Sequence, residues 1–344
     1  MGVRKDKIIW VMERNYKLDN IKAILIFLVV LGHLLECFAG EIKLWIYLII
    51  YSFHMPAFVY TTGYFATYNP KRIVYNLIYS YYIYQVAYIL FQKFYLKSAV
   101  SVQFTTPYWL LWYLIAMIFW TIILHLFVEA ISSARLIFVI SLIIALMVGF
   151  DNSVGYYMSL SRTLAFFPFY VAGYFKYFDK YVHRKEIRVV RRYLCVGGII
   201  TSLLLLWHFR NQLNTTWFYY ATSYVNSGSN VWIRMLLFIV ATIWICFLLG
   251  NITSQKITFF SSVGRHTLPI FLLHGFIVKI LHQINCFRWN EMINIILAFI
   301  LAISICVVLG NELINKLFCF TFSASWIPQK ISCNLKNRKK LYTE

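Results

Sequence analysis

Ionisable side chains set in otherwise apolar stretches mark where this chain could do chemistry. The richest stretch opens on Leu18-Asp19-Asn20-Ile21-Lys22, runs apolar for ten residues, and closes on His33-Leu34-Leu35-Glu36. On a helix, Lys22 and His33 would lie about 16 Å apart at 1.5 Å of rise per residue. Glu36 follows His33 at i+3, on the same face, where a carboxylate orients an imidazole and raises its basicity. That pairing suits a general base. The plainer alternative is a buried histidine that only hydrogen-bonds a neighbouring helix. Asp19 is placed to cap the helix N-terminus. Lys22 stands at the helix entrance, where snorkelling alone would also account for it.

Two more histidines and an arginine share this setting. His54 lies in Phe53-His54-Met55-Pro56, beside a proline that loosens a helix, and His274 lies in Thr267-Leu268-Pro269 to His274. Arg162 opens Arg162-Thr163-Leu164-Ala165-Phe166-Phe167-Pro168-Phe169. An ionisable residue within a membrane span costs roughly 2.5–3.5 kcal/mol on insertion scales, so each raises a functional question. Together with His33 they imply one polar cavity shared by four helices. A stripe of Tyr75, Tyr79 and Tyr82, and another of Tyr81, Gln85 and Tyr88, fits interhelical packing better than ligand binding.

The elements that must position these residues are membrane helices. The chain is 61% hydrophobic and 13% charged, against about half and a quarter in soluble domains. Apolar runs of spanning length recur from Ile21 onward. The expected class is all-α and polytopic, with about ten transmembrane helices: 21–38, 44–65, 73–94, 108–128, 136–150, 160–178, 193–209, 231–250, 267–284 and 292–313. Residues 1–20 form a basic N-terminus, 21–313 the membrane domain and 314–344 a basic tail. The first run is of spanning length and lacks a small-residue cleavage pattern, so it reads as an uncleaved span.

The net charge of +20 does not make a nucleic-acid surface, because Lys and Arg sit in the gaps between apolar runs. Alternate gaps are basic, including Lys71/Arg72, the Lys176–Arg192 loop and the tail. This pattern places both termini in the cytoplasm of a multi-pass cell-membrane protein surrounded by lipid. The basic Phe178–Arg192 loop could also attract a polyanionic cytosolic cofactor. The opposite Arg210–Asn230 loop holds Trp217, Phe218, Tyr219, Tyr220 and Tyr224, suited to an interfacial belt or to stacking on sugar rings. The seven cysteines, Cys37, Cys195, Cys246, Cys286, Cys306, Cys319 and Cys333, have no metal-ligand spacing, and no metal is expected.

These segments resemble the acyltransferase-3 family of membrane O-acyltransferases, in particular its fucose-4-O-acetylase-like branch. The carrying residues are Leu18-Asp19-Asn20-Ile21-Lys22 with His33 ten residues on, Phe53-His54-Met55-Pro56 leading to Gly63-Tyr64-Phe65, and Trp112-Tyr113-Leu114. Arg162 through Phe167-Pro168-Phe169 to Gly173-Tyr174, and Thr267-Leu268-Pro269 to His274, complete the set. Lys22 stands where many members have arginine, replacing a planar two-pronged contact by a point charge. The resemblance implies transfer of an acyl group, usually acetyl, from cytosolic acetyl-CoA to a carbohydrate hydroxyl of an envelope or secreted polysaccharide. Lys22, with Lys71 and Arg72, would meet the cofactor's anionic part. His33 and Glu36 would be catalytic, and His54, Arg162 or His274 would hold the acceptor or the developing oxyanion.

Two rival readings remain at this stage: a glycolipid flippase or proton-coupled transporter using the same polar cavity, and a non-catalytic envelope sensor. Acceptor, acyl chain and oligomeric state are open.

Overall fold

The computed structural model describes residues 14–99, 101–182 and 188–324, and among them it contains helices and no strand. The basic residues before Arg14, Arg184 and Lys185, Cys333 and the tail beyond Ala324 lie outside the described residues.

Helices α1 (Tyr16–Leu35) and α2 (Glu41–Tyr64) come first. A third rod begins with α3 (Pro70–Arg72), passes through π-helical turns at Ile73–Ile78 into α4 (Tyr79–Leu90), and ends in π-helical turns at Phe91–Tyr95. Then come α5 (Trp112–Ala130), α6 (Ala134–Met147), α7 (Leu160–Tyr174), α8 (Tyr177–Val182) and α9 (Arg188–Phe209). The remainder is α10 (Tyr224–Ser227), α11 (Val231–Asn251), α12 (Thr258–Arg265), α13 (Thr267–Gln283), α14 (Glu291–Leu309) and α15 (Glu312–Phe322).

Six helices are long and apolar enough to cross a membrane: Tyr16–Leu35, Glu41–Tyr64, Trp109–Ala130, Arg192–Phe209, Val231–Asn251 and Glu291–Leu309. The other four expected spans are helical too. Two of them, Ala134–Phe150 and Thr267–Gln283, are apolar helices shorter than these. The 160–178 stretch stops at Tyr174, and the 73–94 stretch is divided between α and π turns.

Asparagine starts many of these helices. Asn15, Asn230, Asn290 and Asn311 each accept a hydrogen bond from a first-turn N–H through the side chain, satisfying a donor the helix itself cannot. The cap of α1 is therefore Asn15 rather than Asp19, which sits one turn inside and pairs with Arg14 and Lys22 instead. The last expected span also needs correcting. Helix α14 ends at Gly310, and Asn311 caps a separate helix, α15, so the start of the supposed tail is ordered structure. That segment is held on the third rod: Tyr79 Oη donates to Phe320 O, Ser80 Oγ to Phe322 O and Ala324 N to Tyr75 O.

Helix α1 lies at the centre, packed by α2, α12, α13 and α14. Its other main role is to carry the first functional residues through the interior. Helix α2 packs against α7, and here the backbones touch. Gly63 faces the carbonyl of Tyr170, while Gly173 faces the carbonyl of Tyr60. A Cβ at either glycine would sit inside the opposing carbonyl, so only glycine permits this approach.

Candidate functional site

At the end of the bundle reached by the C-terminus of α1, a cavity of about 200 Å³ opens. It is lined by His33 and Glu36 from α1, Tyr51 and His54 from α2, Arg162 from the first turn of α7, and Tyr219 from the loop before α10. Trp109, Trp112 and Phe166 supply much of its apolar wall.

Glu36 is the hub of its polar side. Tyr51 Oη donates to Glu36 Oε1 at 2.6 Å and Tyr47 Oη to the same oxygen at 3.1 Å, while His33 Nδ1 lies 3.4 Å from Oε2. Tyr219 joins the chain by a short hydrogen bond with Tyr47. Burial pushes the Tyr219 phenol above its usual pKa, so it stays protonated as a hydrogen-bond donor. With Nδ1 of His33 turned toward a carboxylate, Nε2 is the atom left for a substrate proton.

Trp109 and His274 fix the His33 ring. The indole meets it edge-on with ring centres 4.5 Å apart, and the His274 ring stacks on it at 5.5 Å. Trp109 has φ of 37°, in the left-handed region that costs a tryptophan about 1–3 kcal/mol and persists only when its surroundings impose it. Gln85 is a large part of those surroundings. Its Nε2 donates to Gln103 O and Thr106 O, and its Oε1 accepts from Tyr108 N, so one side chain holds the loop that delivers Trp109. The Tyr81 hydroxyl adds a bond to Phe104 O, and that of Tyr88 binds Leu272 O. The second tyrosine stripe thus positions the site rather than entering it.

His54 and His274 resolve into different positions. Both have Nδ1 beside the carbonyl four residues earlier, Ile50 O at 2.7 Å and Ile270 O at 2.8 Å. A carbonyl only accepts, so each Nδ1 carries the proton and each neutral ring offers Nε2 as an acceptor. His54 lines the cavity, in edge contact with Tyr51. His274 is fully buried behind His33, and its Nε2 has no hydrogen-bond partner. Arg162 is held among aromatic rings, 5.2 Å from the centre of Trp112, 5.7 Å from Tyr156 and 6.0 Å from Tyr219. Its Nε is shut off from solvent with no hydrogen-bond partner among the described residues.

A second cavity, of about 380 Å³, opens near the start of α1 and is lined by Lys22, Arg72, Asn69 and Thr267 among others. Lys22 Nζ is 3.0 Å from Asp19 Oδ1 and lies over the Phe65 ring. Lys71 is exposed beside Arg72 and is not among the lining residues. The two cavities are lined by neighbouring residues of the same helices: Met55 and Trp112 face the first, Phe58 and Tyr113 the second. Tyr113, hydrogen-bonded to Thr62 at 2.6 Å, lines the second cavity beside Trp112 of the first. Among the described residues, no three His, Cys, Asp or Glu side chains gather as a metal site.

Sequence reasoning missed Tyr47, Tyr51, Trp109 and Gln85 as site residues. A signal for Tyr51 was present, since Tyr47, Tyr51 and His54 recur at helical spacing on one face of α2.

Among the described residues the molecule is an all-helical bundle with apolar helices long enough to cross a membrane, a His–Glu pair at one end and a cation-lined cavity at the other. The chain matches the family profile described as an acyltransferase domain over residues 15–311, and it belongs to the acyltransferase-3 family. Membership places it among membrane acyltransferases. Searches of curated proteins and of solved structures returned no match.

Proposed function

We propose that the protein is an O-acetyltransferase that moves acetyl from cytosolic acetyl-CoA to a hydroxyl of a cell-envelope or secreted polysaccharide. The observation that carries this reading is the pairing of two cavities end to end, cations lining one and the His33–Glu36 pair lining the other. In this scheme both termini are cytoplasmic and the larger cavity receives the cofactor. Lys22 and Arg72 meet its phosphates, Arg72 with a two-pronged guanidinium and Lys22 as a point charge softened by Asp19. Lys71 contributes at most through its field. The pantetheine arm then passes Tyr113 and brings the thioester to His33.

His33 Nε2 takes the proton of the sugar hydroxyl as its oxygen attacks the thioester carbonyl. The imidazolium that forms is stabilised by Glu36, whose orientation Tyr47 and Tyr51 fix. Collapse of the tetrahedral intermediate breaks the carbon–sulfur bond, and His33 returns the proton to the departing thiolate. His54, an acceptor at Nε2, suits a second substrate hydroxyl rather than an oxyanion. Arg162 is the cationic donor in the cavity and faces the acceptor or the developing oxyanion. His274 acts through its stacking on His33.

The test is transfer of labelled acetyl from acetyl-CoA to envelope glycan in membranes, comparing wild type with His33→Ala at equal expression. Label that disappears in the variant supports the reading, and equal labelling above a protein-free control removes His33 from the chemistry. A transporter would label nothing.

A further inference from the structure

We infer that the acceptor is acidic: the group seated in the first cavity carries a carboxylate or phosphate that Arg162 binds. The inference rests on the reading of that cavity as the acceptor site. A guanidinium that lines a cavity with its Nε shut off from solvent and no carboxylate beside it is best satisfied by an anionic partner. Among the described residues, no carboxylate lies within ion-pair distance of Arg162. Its nearest neighbours are aromatic faces, and its Nε donor is buried and unused.

The carboxylates of this end of the bundle are already committed. Glu36 is taken by two tyrosines and His33, Glu41 pairs with Arg210 at 2.7 Å, Glu291 accepts from Lys43 N at 2.8 Å, and Asp151 accepts from Ser153 N at 2.8 Å. Meanwhile Lys279 Nζ lies 4.5 Å over Trp109 and Lys43 Nζ 5.4 Å over Tyr47, both rings belonging to the site or its hydrogen-bond chain, and neither lysine has an ion pair among the described residues. A basic rim around a basic residue is an arrangement that draws in an anion.

The backbone points the same way. Arg162 stands in the first turn of α7, a 15-residue helix whose cap residue, Ser159, makes no side-chain cap bond. The positive end of a helix dipole disfavours a cation and favours an anion. The Leu160 and Ser161 N–H groups already donate to Tyr157 O and Gly155 O, so the helix contributes its dipole and the guanidinium the direct contact. The Trp112 and Tyr219 rings beside it would flank the sugar.

The test is equilibrium binding to the purified full-length protein in detergent, without acetyl-CoA. The probes are methyl β-D-glucuronide, glucose 1-phosphate and methyl β-D-glucoside, with wild type, Arg162→Gln and Arg162→Lys. We expect one of the acidic probes to bind at least about tenfold more tightly than the neutral glucoside, a difference of about 1.4 kcal/mol. Which acid does so separates a uronic-type acceptor from a phosphorylated one. Arg162→Gln should erase the preference at unchanged melting temperature, and Arg162→Lys should keep part of it. Equal binding of all three probes, binding of none, or a preference that survives in Arg162→Gln would each overturn the inference. If Arg162→Gln abolishes acetyl transfer while the probes show no charge preference, the arginine serves only the oxyanion and the inference is likewise wrong. Charge-selective binding by a protein that transfers no acetyl would defeat the proposed function and leave the acidic ligand standing.

Discussion

Replacing Glu36 by glutamine isolates the role of one charge. The amide keeps the shape of the carboxylate and accepts from only one of its two positions. In the native site one oxygen accepts from Tyr51 at 2.6 Å and Tyr47 at 3.1 Å, leaving the second to face His33 Nδ1 at 3.4 Å. The two phenols claim the amide oxygen of glutamine, so its NH₂ turns toward His33. Nδ1 must then accept, the ring proton moves to Nε2, and the atom facing the substrate can no longer act as a base. The corresponding loss when a triad aspartate becomes an amide is about 10⁴ in kcat. Positioned acid–base groups generally contribute 10²–10⁴. We therefore expect Glu36→Gln to lower acetyl transfer by about 10²–10⁴, or about 3–5 kcal/mol at 1.36 kcal/mol per decade. The assay is labelled acetyl transfer at saturating acetyl-CoA with matched expression. A variant within about threefold of wild type, when His33→Ala is inactive, would refute the orienting role.

Further outcomes follow from other contacts. Gly63→Ala and Gly173→Ala each push a Cβ into a carbonyl of the partner helix and should cost at least about 1–3 kcal/mol by overpacking, read as a lower melting temperature in detergent. Gln85→Leu strands two carbonyls and one N–H of the 103–108 loop. Activity should fall severalfold as Trp109 loosens, and an unchanged near-ultraviolet tryptophan spectrum would count against this positioning route. Arg72→Ala should raise the KM for acetyl-CoA by about tenfold while Lys71→Ala leaves it within about twofold, since only Arg72 lines the larger cavity. Equal effects would mean that diffuse charge, rather than contact, attracts the cofactor.

The fold was legible in the sequence to the extent that it is local. Apolar runs marked the helices, and the i+3 spacing marked the His33–Glu36 pair before any coordinates. What stayed hidden depends on contacts distant in sequence. Tyr47 meets Tyr219 across 172 residues, and no periodicity announces that bond. Gln85 looked like one member of a packing stripe because its partners lie in a loop of no regular pattern. Asp19 suits a cap by type, but Asn15 stands one turn earlier and takes that position. The boundary at Gly310-Asn311-Glu312 was legible as a C-terminal glycine followed by a cap and an acidic first turn, but apolar Leu313 and Ile314 just beyond it drew the span too far. His54 and His274 were equivalent in sequence, and the packing of α13 behind α1 separates them.

The backbone contact between α2 and α7 bears on how this protein meets its lipid surroundings. Helices that touch only through side chains can tilt independently when a bilayer thins or thickens. Two helices joined at Gly63 and Gly173 must tilt as one body. Tyr51 and His54 ride on one of them and Arg162 on the other, so their spacing should hold when the bilayer changes thickness, a constancy that cross-linking between α2 and α7 in short- and long-chain lipids would check. Helix α9 is tied to the same body, since Trp45 Nε1 of α2 donates to Leu203 O at 3.1 Å and Glu41 pairs with Arg210, while its exposed Leu194, Ile200 and Leu204 face outward.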